Sequence, residues 1–444
     1  MKINLITASI VLFNSSVFSQ RVVGYYPHWV LSQFQPEEIE LDIVTHVIHS
    51  FAWANEDGSI SSYDGMFGNN MADIVHSGDS KFLLSIGGWG NHEGFETIIN
   101  HEDLRELFIY NLTSILLLND YDGVDLDWEF PNSNDDKNNL NLLVSEMDSI
   151  FNSINPDWLI TMAIPVSNWW GQWHDFNFLN NHIDFYNAMT YGTHGNWSSH
   201  VGHLSPLYSS PPNDPDGSCH LNMNYLTNQR GIPREMINMG IPFWGAIWNA
   251  SNINESFTGE ISDILYFDIP DLINNGWNYN WDTNAMCPYL IKEDSSQVIT
   301  YENQQSVAMK CEYILNNEIG GVMIWALSYD NTESGQELLS SINENYLSSI
   351  NGKKNLNPAE ISINTHPNPF NPVCHINFYL NASTFLEIVV FDIAGRKITL
   401  LNNKLFEAGS HVMEWDAREF SSGIYFISFK SSNRILNKKI MLLK

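Results

Sequence analysis

The sequence predicts a (β/α)8 TIM barrel that carries a small inserted α+β subdomain and is followed by an all-β sandwich. Over residues 20–348, eight short segments rich in β-branched and aromatic residues alternate with longer helical patterns, which is typical of a parallel α/β fold. Segment 248–299 is too long for one loop and one helix, so it predicts the insertion. Short alternating segments separated by turns in residues 367–444 predict the sandwich.

Residues 1–19 start with one lysine and an apolar run at 3–13 that is too short to cross a bilayer. We expect a signal peptide there and not a buried first strand, because strand-like sequence begins only at Val22. No later segment has the apolar length of a transmembrane helix. The chain is therefore expected to be secreted or held at the cell surface.

The barrel strands are recognised by their apolar, β-branched composition between turn signals. They are predicted at 22–26, 44–51, 82–86, 123–128, 159–164, 185–189, 239–243 and 321–325. The clearest helices, with apolar residues three and four apart, are 103–118, 136–151 and 302–316. Residues 349–366 predict a linker, and the clearest strands beyond it are 374–380, 386–391, 411–415 and 424–429.

The negative charge is concentrated in the barrel. Residues 20–350 hold 8 basic and 44 acidic residues, a net −36, whereas 357–444 hold 9 basic and 7 acidic residues. Such a field repels nucleic acid and anionic membranes, and it suits either a neutral or cationic substrate or simply solubility in salt. We expect a monomer without a nucleic-acid partner.

The four cysteines are scattered and lack the close spacing of a zinc site. One disulfide among Cys219, Cys287 and Cys311 is compatible with export, and the sequence does not choose the pair.

Three acids share one face of the fourth predicted strand. Side chains alternate along a strand, so Asp125, Asp127 and Glu129 lie on the same side, about 6–7 Å apart along the backbone. Three such acids inside a barrel cannot all ionise cheaply, so one should retain a proton near neutral pH and serve as a general acid. A solvated acidic edge or a metal site is the weaker interpretation, because the flanking residues are apolar. Asp122 has the opposite parity and is expected to be structural.

Glu129 stands at the C-terminal end of its strand, where barrel enzymes place their chemistry. Aromatic residues follow several other predicted strands, and their convergence on one rim favours stacking against sugar rings. These aromatic residues are Tyr26, Trp29, Phe51, Trp53, Trp89, Trp169, Trp170, Tyr191, Trp244 and Trp325.

With these residues in place, the chain resembles the chitinases of glycoside hydrolase family 18 from about Val22 to Asn345. The motif Asp122-x-x-Asp125-x-Asp127-x-Glu129 matches the family's catalytic signature. Further matches, in family order, are Ser85-Ile-Gly-Gly88, Met189-Thr-Tyr191, Gly240-Ile-Pro-Phe-Trp-Gly245, Trp281-Asp-x4-Cys-Pro-Tyr289 and Gly320-Gly-Val-Met-Ile-Trp325. The substrate contacts predicted from the aromatics and these motifs are Tyr26, Phe51, Trp89, Trp128, Met189, Trp244 and Trp325.

The resemblance implies hydrolysis of chitin or N-acetylglucosamine oligosaccharides without a metal or cofactor. It implies that Glu129 protonates the glycosidic oxygen while the substrate's acetamido carbonyl attacks the anomeric carbon, with retained stereochemistry. By the same resemblance Asp127 orients the acetamido N–H, Asp125 tunes Asp127, Tyr191 holds the acetamido oxygen and Trp325 lies under the sugar.

Two positions depart from the family pattern. Gly192 stands where the family usually has an aspartate, and Ala246 stands where it usually has an arginine, which puts the pH optimum, affinity and preferred chain length in question. His194, His200 and His203 are interpreted as loop or sugar-edge histidines in preference to a metal site, since their segment is loop-like.

The tail from about Asn357 resembles the C-terminal sorting domain of type IX secretion, which implies the secretion machinery as a partner. The resemblance rests on residues 368–372, 391–396, 408–411, 415–416, 422–426 and 438–444. A sugar-binding or purely structural sandwich is the alternative.

For the barrel, one alternative is an endo-β-N-acetylglucosaminidase that acts on N-glycan cores, since the same motif would serve it. The other is a non-catalytic chitin-binding lectin, against which Glu129 argues.

Overall fold

A computed structural model describes residues 20–273, 275–332, 334–348, 361–366, 368, 370–380, 384–392, 396–406, 409–430 and 435–444. The predicted signal peptide and residues 349–360 of the predicted linker lie outside this range. The chain divides into two compact units, one ending at Tyr346 and one beginning at Leu347.

Eight parallel strands of the first unit close into a barrel, which confirms the predicted fold class. Each strand pairs with its neighbour in chain order, and the first strand pairs with both the second and the last. The barrel strands are β1 (Arg21–Pro27), β2 (His46–Ala54), β4 (Lys81–Gly87), β5 (Gly123–Asp127), β6 (Leu159–Ile164), β7 (Phe185–Ala188), β8 (Ile237–Pro242) and β14 (Gly321–Trp325). A short β3 (Ile60–Ser62) pairs antiparallel with β2, and β15 (Asn331–Thr332) pairs with β16 (Gly335–Gln336).

Helices fill the connections on the outside of the barrel. Within the described residues they are α1 (Met71–Ser77), α2 (Glu93–Ile98), α3 (Glu102–Leu118), α4 (Asn134–Ile154), α5 (Asn168–Gly171), α6 (Phe176–Leu179), α7 (Cys219–Asn224), α8 (Gln304–Asn316) and α9 (Glu337–Ile342). The longest, α4, begins after Ser133, whose hydroxyl accepts the Asp136 N–H as an N-cap. Its buried face repeats at helical spacing through Leu140, Val144 and Phe151.

The insertion forms a five-stranded antiparallel sheet that begins directly after β8. Its strands are β9 (Trp244–Asn249), β10 (Thr258–Leu265), β11 (Trp277–Asp282), β12 (Cys287–Lys292) and β13 (Val298–Thr300), in the order β10-β9-β13-β12-β11. The helical part expected of an α+β insertion is limited, among its described residues, to two single 3₁₀ turns, Tyr266–Asp268 and Pro270–Leu272. One face of the sheet, with Trp248, Val298 and Ala246, packs against Val201 and Leu204 of the loop between β7 and α7, so this loop takes the place of a covering helix.

The second unit is a β-sandwich with one three-stranded and one four-stranded sheet. Its strands are β17 (Ile361–His366), β18 (Val373–Leu380), β19 (Thr384–Asp392), β20 (Lys397–Phe406), β21 (Gly409–Asp416), β22 (Gly423–Lys430) and β23 (Ile435–Leu442). Phe378, Ile388, Trp415 and Ile427 from both sheets share one buried core. Residues 361–366, which the sequence placed in the linker, form β17 and pair with β18.

None of the helices in the described part of the chain has the length and apolarity needed to span a bilayer. Cys219, Cys287 and Cys311 are buried thiols without a disulfide, so the bridge that the sequence allowed is not formed.

Candidate active site

The acids of β5 point into the barrel at its C-terminal end. Asp125 is fully buried, Asp127 is 5% exposed and Glu129 follows two residues after the strand ends. The three carboxyls therefore form a column that runs from the barrel interior to its mouth.

Asp125 is held by four hydrogen-bond donors from four different strands. The hydroxyls of Tyr25 (2.8 Å) and Ser85 (3.0 Å) donate to Oδ2. The Thr161 hydroxyl (2.6 Å) and the Asn187 amide (3.1 Å) donate to Oδ1. Burial raises the pKa of Asp125, and these hydrogen bonds act in the opposite direction by favouring the charged form. The carboxyl is thus fixed in place as an acceptor in the barrel floor.

Asp127 lies in a different environment. Its Oδ1 is buried and has no hydrogen-bond partner among the described residues. Burial raises its pKa well above the ordinary value, and repulsion from Glu129 and then from Asp125 raises it further. The side chain is therefore poised to hold a proton or to receive a polar group that enters the cleft.

Burial raises the pKa of Glu129 to about 7. Because Glu129 and Asp127 are adjacent, they titrate as a pair, and the pair retains at least one proton at neutral pH. A partly exposed carboxyl with a pKa near the working pH is the property that a general acid and base requires.

Two glycines allow the neighbouring strand end to approach the acids. Gly87 has φ +119°, and a Cβ there would lie 2.1 Å from the Asp127 carbonyl oxygen. Gly88 has φ +86°, and its Cβ would lie 2.6 Å from the ring of Phe51. The Gly88 N–H donates to the Asp127 carbonyl at 2.8 Å. The Ser85-Ile-Gly-Gly88 motif thus positions β5 as well as supplying the Ser85 hydroxyl.

Three of the predicted substrate contacts, together with Tyr191, gather beside this column. Trp325, at the end of β14, stacks on Phe51 with ring centres 5.6 Å apart. Tyr191 and Met189 pack on the apolar barrel interior with Trp325. Burial, then the charges of Asp127, Glu129 and Asp125, raise the pKa of Tyr191 well above its ordinary value, so its hydroxyl remains protonated and able to donate.

Two further predicted contacts lie at the margin. Trp89 follows Gly88 and is 78% exposed. Trp244 begins the inserted sheet and packs on its core, while its indole N–H is buried without a partner in the described part of the chain. A ligand at this margin could stack on the exposed ring of Trp89 or accept a hydrogen bond from the indole N–H of Trp244.

Tyr26 and Trp128 are wrongly assigned as substrate contacts, because both face the helix layer. The Tyr26 hydroxyl donates to the Phe34 carbonyl at 2.5 Å and the side chain is fully buried. Trp128 is 4% exposed and stacks on Phe95 at 5.5 Å. Strand parity explains both, since their neighbours Tyr25 and Asp127 occupy the inner face.

Asp122 lies at the opposite, N-terminal end of β5. It accepts hydrogen bonds from the Lys81 ammonium, the Phe82 N–H and His76, each at 2.8 Å. Although burial raises its pKa, these partners hold it below the ordinary value. The contacts tie β4 to β5 at the end of the barrel away from the acid column.

Three residues of the site were missed by the sequence analysis: Tyr25, Thr161 and Asn187. Each lies two residues along its strand from an apolar residue that faces the barrel interior, as Tyr25 does from Val23 and Asn187 from Phe185. A polar side chain at an inward position of an apolar strand is the signal that would have identified them. The Asn187 amide is itself oriented by the Asn238 amide, which donates to its oxygen at 2.9 Å.

The departure at Gly192 leaves open space. The residue has φ +63°, and a Cβ there would meet nothing within 4 Å among the described residues. Space alone would admit a side chain, but the left-handed backbone at this position favours glycine over the acid that is missing.

Two family profiles match this chain. The profile of the secretion system C-terminal sorting domain matches residues 364–443, and it marks the chain for secretion or display at the cell surface. The profile of glycosyl hydrolases family 18 matches residues 21–330.

Individual relatives agree with the second profile. The chain is 29% identical over 351 residues to a probable endochitinase of Caenorhabditis elegans, covering 70% of this chain and 56% of that protein. It is 27% identical to the endochitinase of Manduca sexta, covering 74% of this chain and 68% of the relative.

The fold agrees with the crystal structure of catalytic domain 2 of an Ostrinia furnacalis group II chitinase. The TM-score is 0.69 at 24% identity, over 74% of this chain and 97% of that domain. Because the family profile spans the whole barrel from β1 to the residues after β14, the chain belongs to glycosyl hydrolase family 18.

Proposed function

We propose that this protein is a secreted chitinase that hydrolyses β-1,4 bonds between N-acetylglucosamine units, with retained configuration and with the substrate's acetamido group as nucleophile. The observation that carries the proposal is the pair of acids at the barrel mouth, the buried Asp127 at the end of β5 and Glu129 two residues later, whose pKa burial raises to about 7. The names of the nematode and moth relatives support chitin as the substrate.

In the first step Glu129 donates its proton to the glycosidic oxygen as the bond from that oxygen to the anomeric carbon breaks. The acetamido carbonyl oxygen attacks the same carbon and forms a cyclic oxazolinium ion. The positive charge that develops is stabilised by Asp127, whose carboxyl oxygen accepts a hydrogen bond from the acetamido N–H. A protein nucleophile is disfavoured because the raised pKa of Asp127 keeps it from being an exposed, freely ionised carboxylate.

Tyr191 is suited to hold the acetamido oxygen. In the described residues the hydrogen-bond contact of its hydroxyl is the Met323 sulfur at 3.9 Å, a weak acceptor. The hydroxyl is therefore free to turn toward a stronger one. Trp325, stacked on Phe51, provides a flat apolar surface for the sugar ring.

In the second step the Glu129 carboxylate removes a proton from water, and the resulting hydroxide attacks the anomeric carbon as the oxazolinium ring opens. Two displacements at one carbon return the original configuration. Glu129 leaves this step protonated, so the acid is regenerated for the next turnover.

The test is digestion of chitin oligosaccharides and of a high-mannose glycoprotein by the wild type, by Glu129→Gln and by the control Glu312→Gln, an exposed position on α8. Loss of the general acid should lower kcat by about 10²–10⁴. The control should match the wild type. Comparable release by Glu129→Gln would overturn the assignment of the acid.

The remaining outcomes separate the alternatives. Cleavage of the glycoprotein alone would indicate an endo-β-N-acetylglucosaminidase, and chitin binding without cleavage by the wild type would indicate a lectin. Inhibition by a thiazoline analogue of the oxazolinium ion tests the nucleophile, and indifference to it would favour a carboxylate of the protein.

A further inference from the structure

A cluster of histidines and aspartates lies in the long loop between β7 and α7, apart from the acid column. The Nε2 atoms of His194 and His200 lie 3.0 and 3.1 Å from the same oxygen, Oδ2 of Asp214. These three ligand atoms all lie within 4.8 Å of one another. The side chains of His194 and Asp214 are fully buried, and that of His200 is 14% exposed.

The tautomer of His194 is set by its other nitrogen. Nδ1 donates to the His203 carbonyl at 2.8 Å, since a carbonyl can only accept. In the neutral ring Nε2 then carries a lone pair that faces the Asp214 carboxylate. Two acceptors at 3.0 Å repel each other unless a proton or a cation lies between them.

Asp216 adds a second carboxylate to this group. Its Oδ2 lies 3.8 Å from His194 Nε2, is buried and has no hydrogen-bond partner among the described residues. A buried carboxylate oxygen without a partner, beside two imidazole nitrogens and a second carboxylate, is the arrangement that an ion satisfies. One divalent cation between these four atoms would neutralise both carboxylates and occupy the lone pairs of both rings.

We propose that His194, His200, Asp214 and Asp216 form a structural site for a divalent cation, with zinc as the best match. Two imidazole nitrogens with two carboxylate oxygens are a donor set that zinc accepts in tetrahedral geometry. Ligands about 2.0–2.2 Å from zinc lie about 3.3–3.6 Å from one another in a tetrahedron, close to the 3.0, 3.1 and 3.8 Å separations found here.

The surroundings orient these ligands as outer contacts of metal sites do. The His203 carbonyl fixes the ring of His194, and the Asp216 N–H donates to the second oxygen of Asp214 at 3.0 Å. His203 itself turns away, with Nε2 at 3.2 Å from Asp282. It is therefore not a ligand, although sequence spacing grouped it with the other two histidines.

The proposed cation would stabilise a long loop. Residues 189–218, all of them described, connect β7 to α7 without a helix or strand of their own. A loop this long is uncommon in a compact domain unless it is fixed by other means. One cation would join residues 194, 200, 214 and 216. It would thereby fix the part of the loop that follows the Met189–Tyr191 segment of the active site.

The experiment uses the full chain without a histidine tag, stripped with EDTA and titrated with zinc chloride by calorimetry. One zinc per chain is expected, with a rise in melting temperature on loading. His200→Ala should weaken binding by at least about 100-fold, since even loss of an outer contact costs 10- to 100-fold. The matched control is His182→Ala, which removes a histidine paired with Asp148 at 2.7 Å outside the cluster.

A second variant, Asp216→Asn, tests the proposal independently in case His200→Ala does not fold. It keeps the shape of the side chain and should weaken binding at least about tenfold. Cobalt in place of zinc should give the strong visible absorption of a tetrahedral site in the wild type and in His182→Ala only. Absence of stoichiometric binding by the wild type, or equal binding by all four proteins, would overturn the proposal and leave a buried histidinium–carboxylate cluster in its place.

Discussion

The hydrogen bond from Thr161 to Asp125 gives a sharp test of the electrostatics at the barrel floor. Thr161→Val preserves the shape of a fully buried side chain and removes the shortest of the four donors, at 2.6 Å. The matched control is Thr113→Val, which removes a 2.7 Å hydrogen bond from a buried threonine to the neutral Ile109 carbonyl in α3.

The expected magnitude follows from the charge of the acceptor. A hydrogen bond to a charged group contributes about 1.5–3 kcal/mol, against about 1 kcal/mol for a neutral pair. At 1.36 kcal/mol per unit, the loss corresponds to a further rise of about 1–2 units in the pKa of Asp125. Its folded pKa is already raised, so ionisation destabilises the fold as pH increases through that value. The cost of Thr161→Val should therefore be about 1.5–3 kcal/mol at pH 8 and clearly smaller at pH 4.

Urea unfolding at both pH values measures this difference. Fluorescence reports on the first unit, which holds 14 of the 15 tryptophans. Thr113→Val should cost about the same at pH 4 and pH 8, because its acceptor does not titrate. An equal cost of Thr161→Val at the two pH values would refute the idea that Asp125 is held as a charged acceptor.

Three further results are expected. The kcat/KM of the wild type should decline above pH 7 as Glu129 loses its proton, and a flat profile from pH 6 to pH 9 would contradict the shift in its pKa to about 7. Gly87→Ala should destabilise the barrel by several kcal/mol, because its Cβ would lie 2.1 Å from the Asp127 carbonyl oxygen. The control Gly90→Ala has φ +89° and open space within 4 Å, so it should cost only about 1 kcal/mol. Similar melting temperatures for the two variants would exclude the clash as the cause. Trp89→Ala should raise KM for long chitin oligosaccharides about two- to tenfold without loss of stability, since the exposed ring offers stacking worth about 0.5–1.5 kcal/mol, and an unchanged KM would remove it from the substrate contacts.

The barrel could be predicted because its strands are short apolar segments between turn signals, and the acids could be grouped because parity along one strand needs no tertiary information. The same alternation puts Tyr26 and Trp128 on the outer face of their strands, because Tyr25 and Asp127 face inward. Aromatic content alone does not separate the barrel interior from the layer between strands and helices, since both are apolar.

Other parts of the site depend on contacts between distant segments. The donors to Asp125 come from strands up to 100 residues away in sequence, and their convergence follows from closure of the barrel. The partners of His194 and His200 are Asp214 and Asp216, which lie on the far side of a loop without periodicity. Neither arrangement leaves a local pattern that sequence reasoning could use.

The three buried thiols of the first unit have a consequence for the life of the protein outside the cell. Burial raises the pKa of Cys219 and Cys287, and that of Cys311 to about 12, so very little thiolate forms at neutral pH. Disulfide exchange and peroxide both require the thiolate and access to it. Maturation of this unit therefore requires no disulfide-forming oxidant or disulfide isomerase, and once exported its fold should be equally stable in reducing and in oxidising surroundings.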